Sequence, residues 1–331
     1  MRTYSAGLAR LFGLIVAALF ATLPAFAYDT SLPALEQFID EMTQEHGFDC
    51  AETTELLTQA KRKQSVIDAI SRPAEKTLTW QDYRAIFLTP QRVDAGIRFW
   101  REHAALLEAA EERFGVPPSV IVGILGVESI YGDNTGNYRV IDALATLAFD
   151  YPPRSEFFRG ELEQFLLLTR ESGFDPLMPT GSYAGAMGAP QFISSSYRRY
   201  AVDGDGDGRV DLWNNWNDIV FSVANYLKEN GWHHGRPVAV HAVLTEPAAE
   251  NLVQTKPKLN STAGKLRRAG VSFDADVRNR YKAALFELDG GHEPEHRVGF
   301  HNFRVITRYN VSVLYAMAVH DLGGEVAQRV Y

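Results

Sequence analysis

Residues 116–129 read VPPSVIVGILGVES, a segment that is apolar on nearly every turn and carries a single charge, Glu128. Pro117 and Pro118 suit the first turn of a helix, where a missing N–H costs nothing. Ile121, Ile124 and Leu125 then recur at helical spacing, and Glu128 follows at i+7 from Ile121 and i+4 from Ile124. Glu128 therefore shares the apolar face. A carboxylate there loses hydration, which favours its neutral, proton-donating form, the condition for a general acid. Position alone equally suits a structural Glu, hydrogen-bonded to backbone or paired with an Arg.

Helical periodicity extends to both sides of this segment. From Leu32 to about Gly115, the apolar spacing in ALEQFIDEMTQEHGF, SVIDAISR and VDAGIRFWREHAALLEAAEERFG predicts helices. WQDYRAIF in the same region brings Trp80, Tyr83 and Phe87, which read as core residues or as a stacking surface. Between 116 and 232, VIDALATLAFDYPPR, FFRGELEQFLLLTRES and IVFSVANYLKENGW read as further helices, around a glycine-rich loop and an acidic loop. From about His233 to Phe300, β-prone runs such as PVAVHAVL and HRVGFHNFRVIT point to a small strand-bearing unit, and SVLYAMAVHDLGGEVAQRV is again helical. The expected fold class is mainly α, of the α+β type. The expected divisions are a leader at 1–27, a helical N-terminal domain at 28–115, a core at 116–232, a small β-containing domain at 233–300, and a segment at 301–331 that packs back on the helical and core domains.

Arg2 and Arg10 precede the apolar run LFGLIVAALFATL, which ends in Ala25-Phe26-Ala27, the pattern of a cleavable secretory signal peptide. The run is short for a membrane span, and no cysteine stands directly after the cleavage site to carry a lipid anchor. A soluble exported protein is expected. Cys50 is the only cysteine, so an intramolecular disulfide is excluded and stability must come from core burial or metal. The net charge of −8 drops by a further two when the leader takes Arg2 and Arg10 with it. That balance excludes a general nucleic-acid binder, which needs a basic surface. No H-E-x-x-H, G-x-S-x-G or Walker loop is present, and the adjacent His233 and His234 cannot share a helix face as metal ligands.

The acidic loop, DGDGDGRVDLWNNWND (203–218), sets Asp203, Asp205 and Asp207 at positions 1, 3 and 5 of an EF-hand-like loop. Gly208 takes position 6, Arg209 offers its carbonyl at position 7, and Asp211 stands at position 9. Position 12 is Asn214 in place of the usual bidentate Glu, so Asp218 completes the shell only if the loop is longer than the standard one. Carboxylates alternating with glycines repel one another without a cation, and a flexible all-oxygen set suits Ca²⁺ better than Mg²⁺.

Taken together, GVPPSVIVGILGVESIYG, DALATLAFDYPPR, GSYAGAMGAPQF, DGDGDGRVDLW, SVANYLKENGW and FHNFRVITRYN resemble the lytic murein transglycosylase B family of bacterial cell-wall enzymes, with FIDEM and RPAEKTLTWQDYR extending the match toward the N-terminus. The resemblance implies a lysozyme-like catalytic core, a periplasmic location, peptidoglycan glycan strands as substrate and Glu128 as the catalytic acid. It also implies substrate contacts from Arg154, Ser182, Gln191 and Asn310, and cleft aromatics at Tyr83, Phe192, Tyr226 and Tyr309. Phe157 stands where relatives often carry Tyr, and Ala189-Pro190 precede Gln191 where some have a more flexible pair. The implied reaction uses one carboxyl as acid and then base, forming 1,6-anhydromuramic acid ends. The alternatives are a hydrolytic muramidase on the same core, which would need a second carboxylate, and a non-catalytic, calcium-stabilised glycan-binding protein. Asp133 and Asp142 are the nearby acids, Asp142 reading as a helix N-cap. Cell-wall synthesis proteins are further candidate partners, and a monomer is expected.

Overall fold

A computed structural model describes residue 28 and residues 32–72, 78–291 and 293–330. The signal-peptide reading falls on 1–27, outside the described residues. The described residues are mainly helical, with a six-stranded sheet and a short two-stranded one, Tyr138–Arg139 against Thr180–Gly181. No helix among the described residues is long and apolar enough to cross a membrane.

The acid helix, Pro118–Ser129, runs through the middle of the principal core, and every residue from Val120 to Val127 is buried. Its main partner is the C-terminal helix, Val313–Val330. The two approach so closely because glycines face each other's backbone: a Cβ on Gly123 would lie 2.2 Å from the Val319 carbonyl oxygen, and one on Gly323 would lie 1.9 Å from that of Ser119. The helix expected from VDAGIRFWREHAALLEAAEERFG is two helices, Pro90–Glu102 and Ala104–Phe114. The break is His103, at φ −111° and ψ 22°, whose ring packs 4.6 Å from Phe99 and 5.3 Å from Trp216.

The sheet is built on three antiparallel strands, with Pro294–Gly299 between Ala239–Leu244 and Lys282–Asp289. Lys282–Asp289 separates two cores. Ala284, Phe286 and Leu288 enter the principal core, whereas Ala283 and Leu285 enter a second one with Val271, Val298 and Phe300. Successive side chains of a strand point to opposite faces, so a strand buried on both faces reads as the unbroken apolar run AALF. Alternation could not disclose it. HRVGFHNFRVIT is strand only as far as Gly299; His301–Ile306 is a helix. Tertiary packing overrides β propensity there. Phe303, Val305 and Ile306 are buried, and the Asn302 amide accepts from the His233 N–H at 2.9 Å and donates to the His233 and Arg236 carbonyls at 2.8 Å each.

Candidate active site

Glu128 lies on the last turn of the acid helix and is half-buried, beside the fully enclosed Leu125. The helix stops abruptly, because Ile130 (φ 55°) and Tyr131 (φ 57°) are both left-handed. A β-branched residue in that region costs on the order of 1–3 kcal/mol and persists only where its surroundings enforce it. Here the Tyr131 N–H donates to the Leu125 carbonyl at 3.1 Å, the Gly132 N–H to Ser129 Oγ at 3.0 Å, and the Tyr131 ring stacks 5.4 Å from Phe99. Gly96 and Gly126 make room for the Tyr131 hydroxyl, which would lie 2.4 and 2.5 Å from a Cβ at those positions.

Tyr315, in the first turn of the C-terminal helix, donates its hydroxyl to Glu128 Oε1 at 2.5 Å. Burial pushes the Tyr315 phenol well above its ordinary value, and the charge of Glu128 adds to the push, so it remains a donor. Tyr309 and Tyr226 feel the same charge and are likewise raised, chiefly by burial. Their hydroxyls donate to the carbonyls of Pro190 (3.1 Å) and Arg308 (2.6 Å). The rings of Tyr226 and Tyr309 lie 4.6 Å apart, with Phe192 5.5 and 5.8 Å from them. Glu128, Phe192, Tyr226 and Tyr309 therefore do meet. Phe192 and Tyr226 are themselves buried, so they back the site more than they face it.

Tyr83 is 2 % exposed, with its ring 4.9 Å from Phe87. So enclosed, it is a core residue and not an open stacking face. Trp80 is also core, with Nε1 donating to Glu295 Oε2 at 3.2 Å. Arg154 is exposed, with its guanidinium 4.4 Å from the Phe157 ring and 5.0 Å from that of Phe158. Asn310 is half-buried in the turn that leads to the C-terminal helix, and its carbonyl accepts from the Ser312 N–H. Tyr315 escaped the sequence reading altogether. The available signal was a phenol on the same buried stripe as Val319 and Leu322, where a hydroxyl must find a partner.

In GSYAGAMGAPQF, Ser182 Oγ accepts from the Ala184 and Ala186 N–H groups at 3.3 and 3.1 Å, which leaves its own hydrogen to donate. Gln191 is held at φ 52°, its amide donating to the Thr135 and Gly188 carbonyls at 3.0 and 2.9 Å. The glycines here admit the protein's own backbone. Cβ atoms on Gly181 and Gly188 would each lie 2.2 Å from a carbonyl oxygen, of Ala186 and Leu212 respectively. Asp142 is not an N-cap. It is the third residue of the Val140–Asp150 helix, is 1 % exposed, and accepts from Arg139 Nη2 (2.6 Å), Arg139 Nε (3.0 Å) and the Lys61 N–H (2.9 Å). So bound, it is not a second catalytic carboxylate.

In the acidic loop, oxygens of Asp203, Asp205 and Asp218 lie within 4.8 Å of one another. Asp218 is fully buried on the first turn of the Trp216–Glu229 helix and accepts from the Gly204 and Asp211 N–H groups at 2.7 Å each. Burial raises its proton affinity, and the charges of Asp205 and Asp203 push the same way. Asp207 and Asp211 fall outside the cluster. The first accepts from the Arg209 N–H at 2.8 Å, the second from the Trp213 and Asn214 N–H groups and the Asn214 amide. Asp218, from the following helix, joins the loop's Asp203 and Asp205, the arrangement that a loop longer than the standard EF-hand requires. Three all-oxygen acids, one of them buried, fit a hard cation.

A mainly helical body that buries a helix ending in one carboxyl, held by a buried phenol, has the architecture of a protein with a lysozyme-like core. The Transglycosylase SLT domain matches residues 31–324, and the chain belongs to that family of lytic transglycosylases. Membrane-bound lytic murein transglycosylase B of Escherichia coli (strain K12) is 44% identical over 304 residues, 89% of this chain and 83% of that protein. The soluble lytic transglycosylase SltB1 of Pseudomonas aeruginosa superposes with a TM-score of 0.86 at 48% identity, over 89% of this chain and 99% of that one. The Escherichia coli lytic transglycosylase Slt35, solved in complex with calcium, superposes at 0.83 and 43% identity, over 92% of this chain and 96% of that one.

Proposed function

We propose that the chain cleaves the β-1,4 bond between N-acetylmuramic acid and N-acetylglucosamine in peptidoglycan and leaves 1,6-anhydromuramic acid ends. Glu128 protonates the glycosidic oxygen as the bond breaks, and the substrate's acetamido group helps to stabilise the sugar cation. The resulting carboxylate takes the proton of the muramic acid C6 hydroxyl, whose oxygen closes on C1 in place of water. One observation carries this reading: the hydrogen bond from Tyr315 to Glu128 Oε1. It orients the carboxyl and stabilises the charge left once the proton has gone. Arg154, Ser182, Gln191, Tyr309 and Asn310 contact the glycan in this reading, while Phe192, Tyr226 and Tyr83 support those that do. Asp203, Asp205 and Asp218 hold a structural Ca²⁺, and the protein works in the periplasm after loss of 1–27.

The test is product analysis. Purified sacculi are incubated with the protein and the released muropeptides weighed. Anhydro ends support the proposal, reducing ends indicate a hydrolytic muramidase, and the absence of release indicates a glycan-binding protein. Glu128→Gln keeps the shape but cannot shuttle a proton, and turnover should fall by about 10²- to 10⁴-fold.

A further inference from the structure

The turn that ends the acid helix is held from outside by one ring. Trp216 opens the Trp216–Glu229 helix. A Cβ on Gly132 would lie 3.2 Å from its Cη2 and 3.3 Å from its Cζ2, so the indole is seated on the backbone four residues after Glu128. It also meets Phe99 edge-on at 4.9 Å, and Phe99 is the ring on which Tyr131 stacks. Left-handed Ile130 and Tyr131 need such enforcement. Three amides mark the closed turn: Tyr131 donates to the Leu125 carbonyl, Gly132 to Ser129 Oγ, and Asn134 to the Ser129 carbonyl at 2.8 Å.

The neighbours of Trp216 in sequence belong to the acidic loop. Asn215 Oδ1 accepts from the Asn217 N–H at 3.0 Å, capping the helix, while the Asn215 amide donates to Asp205 Oδ2 at 2.9 Å. Asp218 accepts from the loop's Gly204 and Asp211 N–H groups. Trp216 therefore stands between two residues that the loop grips. Beside it, a cleft of about 660 Å³ between His103 and Leu106 on one side and Asp207 and Asn214 on the other leaves room for the indole to move. Asp203, Asp205 and Asp218 repel one another unless a cation gathers them. When they spread, Asp205 draws on Asn215 and with it on the first turn of the helix.

We infer that Trp216 is a positioning residue that couples the acidic loop to the turn behind Glu128. With the loop drawn in, the indole props the turn and Glu128 keeps its bond to Tyr315. With the loop spread, the indole slips toward the cleft, the turn slackens and the carboxyl loses its aim. The loop thus governs turnover as well as stability. The inference rests on the reaction proposed for Glu128 and adds to it a residue that touches neither substrate nor metal.

Two readouts are needed, one of them independent of turnover. Hydrogen exchange is followed by mass spectrometry on peptides spanning residues 126–134, with the Lys282–Asp289 strand as an unaffected reference. The loop is disturbed by chelating Ca²⁺ well below the melting temperature, or by Asn215→Ala, which cuts its hold on the helix without involving a metal. Either should speed exchange at 126–134 about tenfold. Either should also lower kcat by roughly ten- to a hundredfold, with KM within about twofold. Trp216→Leu should show fast exchange and low kcat from the start, and neither disturbance should add to them. Trp216→Phe, which restores a ring, should recover part of both. Exchange at 126–134 that ignores both disturbances, or a Trp216→Leu protein that still responds to them in full, would overturn the inference. The expected exchange pattern in a protein that releases no anhydro ends supports the coupling and refutes the reaction. A response to Asn215→Ala but not to chelator supports the coupling and refutes the metal.

Discussion

Gly123→Ala adds one methyl group five residues before Glu128 and should disable the site without touching it. The new Cβ would lie 2.2 Å from the Val319 carbonyl oxygen, and ordinary contact begins near 3.4 Å, so the C-terminal helix must move out by roughly 1.2 Å. Val319 is one turn beyond Tyr315. Carried along that turn, the opening stretches the 2.5 Å bond from Tyr315 to Glu128 to about 3.7 Å, which is no longer a hydrogen bond. Overpacking of this kind costs about 1–3 kcal/mol of stability, a fall of a few degrees in melting temperature. The catalytic loss should be larger, since a misplacement near 1 Å costs on the order of 10²-fold in rate. The assay is kcat and KM for anhydromuropeptide release, measured for Gly123→Ala, Tyr315→Phe and the double variant. If helix spacing acts through the phenol, the double variant should be little worse than the worse single one. Fully multiplying losses in kcat, or a Gly123→Ala enzyme within about twofold of wild type, would refute the argument.

Chelation of Ca²⁺ should lower the melting temperature, because a ligand held only by the folded state contributes about 2.7 kcal/mol at a hundred times its Kd. Asp203→Asn with Asp218→Asn should abolish that response, and a wild-type transition indifferent to chelator would exclude the metal. Acid stability should depend on His320, whose proton affinity is lowered chiefly by burial and further by Arg297 and His241, against the opposing charge of Asp321. The native state keeps this ring neutral while the unfolded chain protonates near pH 6.5, so its contribution is complete above that pH. Below it, stability falls by up to about 1.4 kcal/mol per pH unit. Urea unfolding between about pH 7 and 5.5 should show a shallower slope for His320→Gln, and equal slopes would rule the histidine out.

Features encoded by neighbouring residues were legible in the amino-acid sequence. The acid helix announces itself through paired prolines and i, i+3, i+4 spacing, and Glu128 stands out because it interrupts an apolar stripe. The acidic loop is visible because its aspartates alternate with glycines. Features made by distant residues were not. Tyr315 reaches Glu128 across 187 positions, and only the glycine-mediated approach of two helices brings them together. Asp218 was legible only on the condition of a longer loop, and the fold of the following helix is what brings it beside Asp203 and Asp205. Lys282–Asp289 is hidden by its own burial, since both faces are apolar, and His301–Ile306 turns helical where local propensity says strand. Local propensities amount to tenths of a kcal/mol per residue, whereas burying a large apolar side chain is worth about 1.5–3 kcal/mol. Where the two disagree, the packing of the whole chain decides, and that packing sets which polar groups face the carboxyl of Glu128.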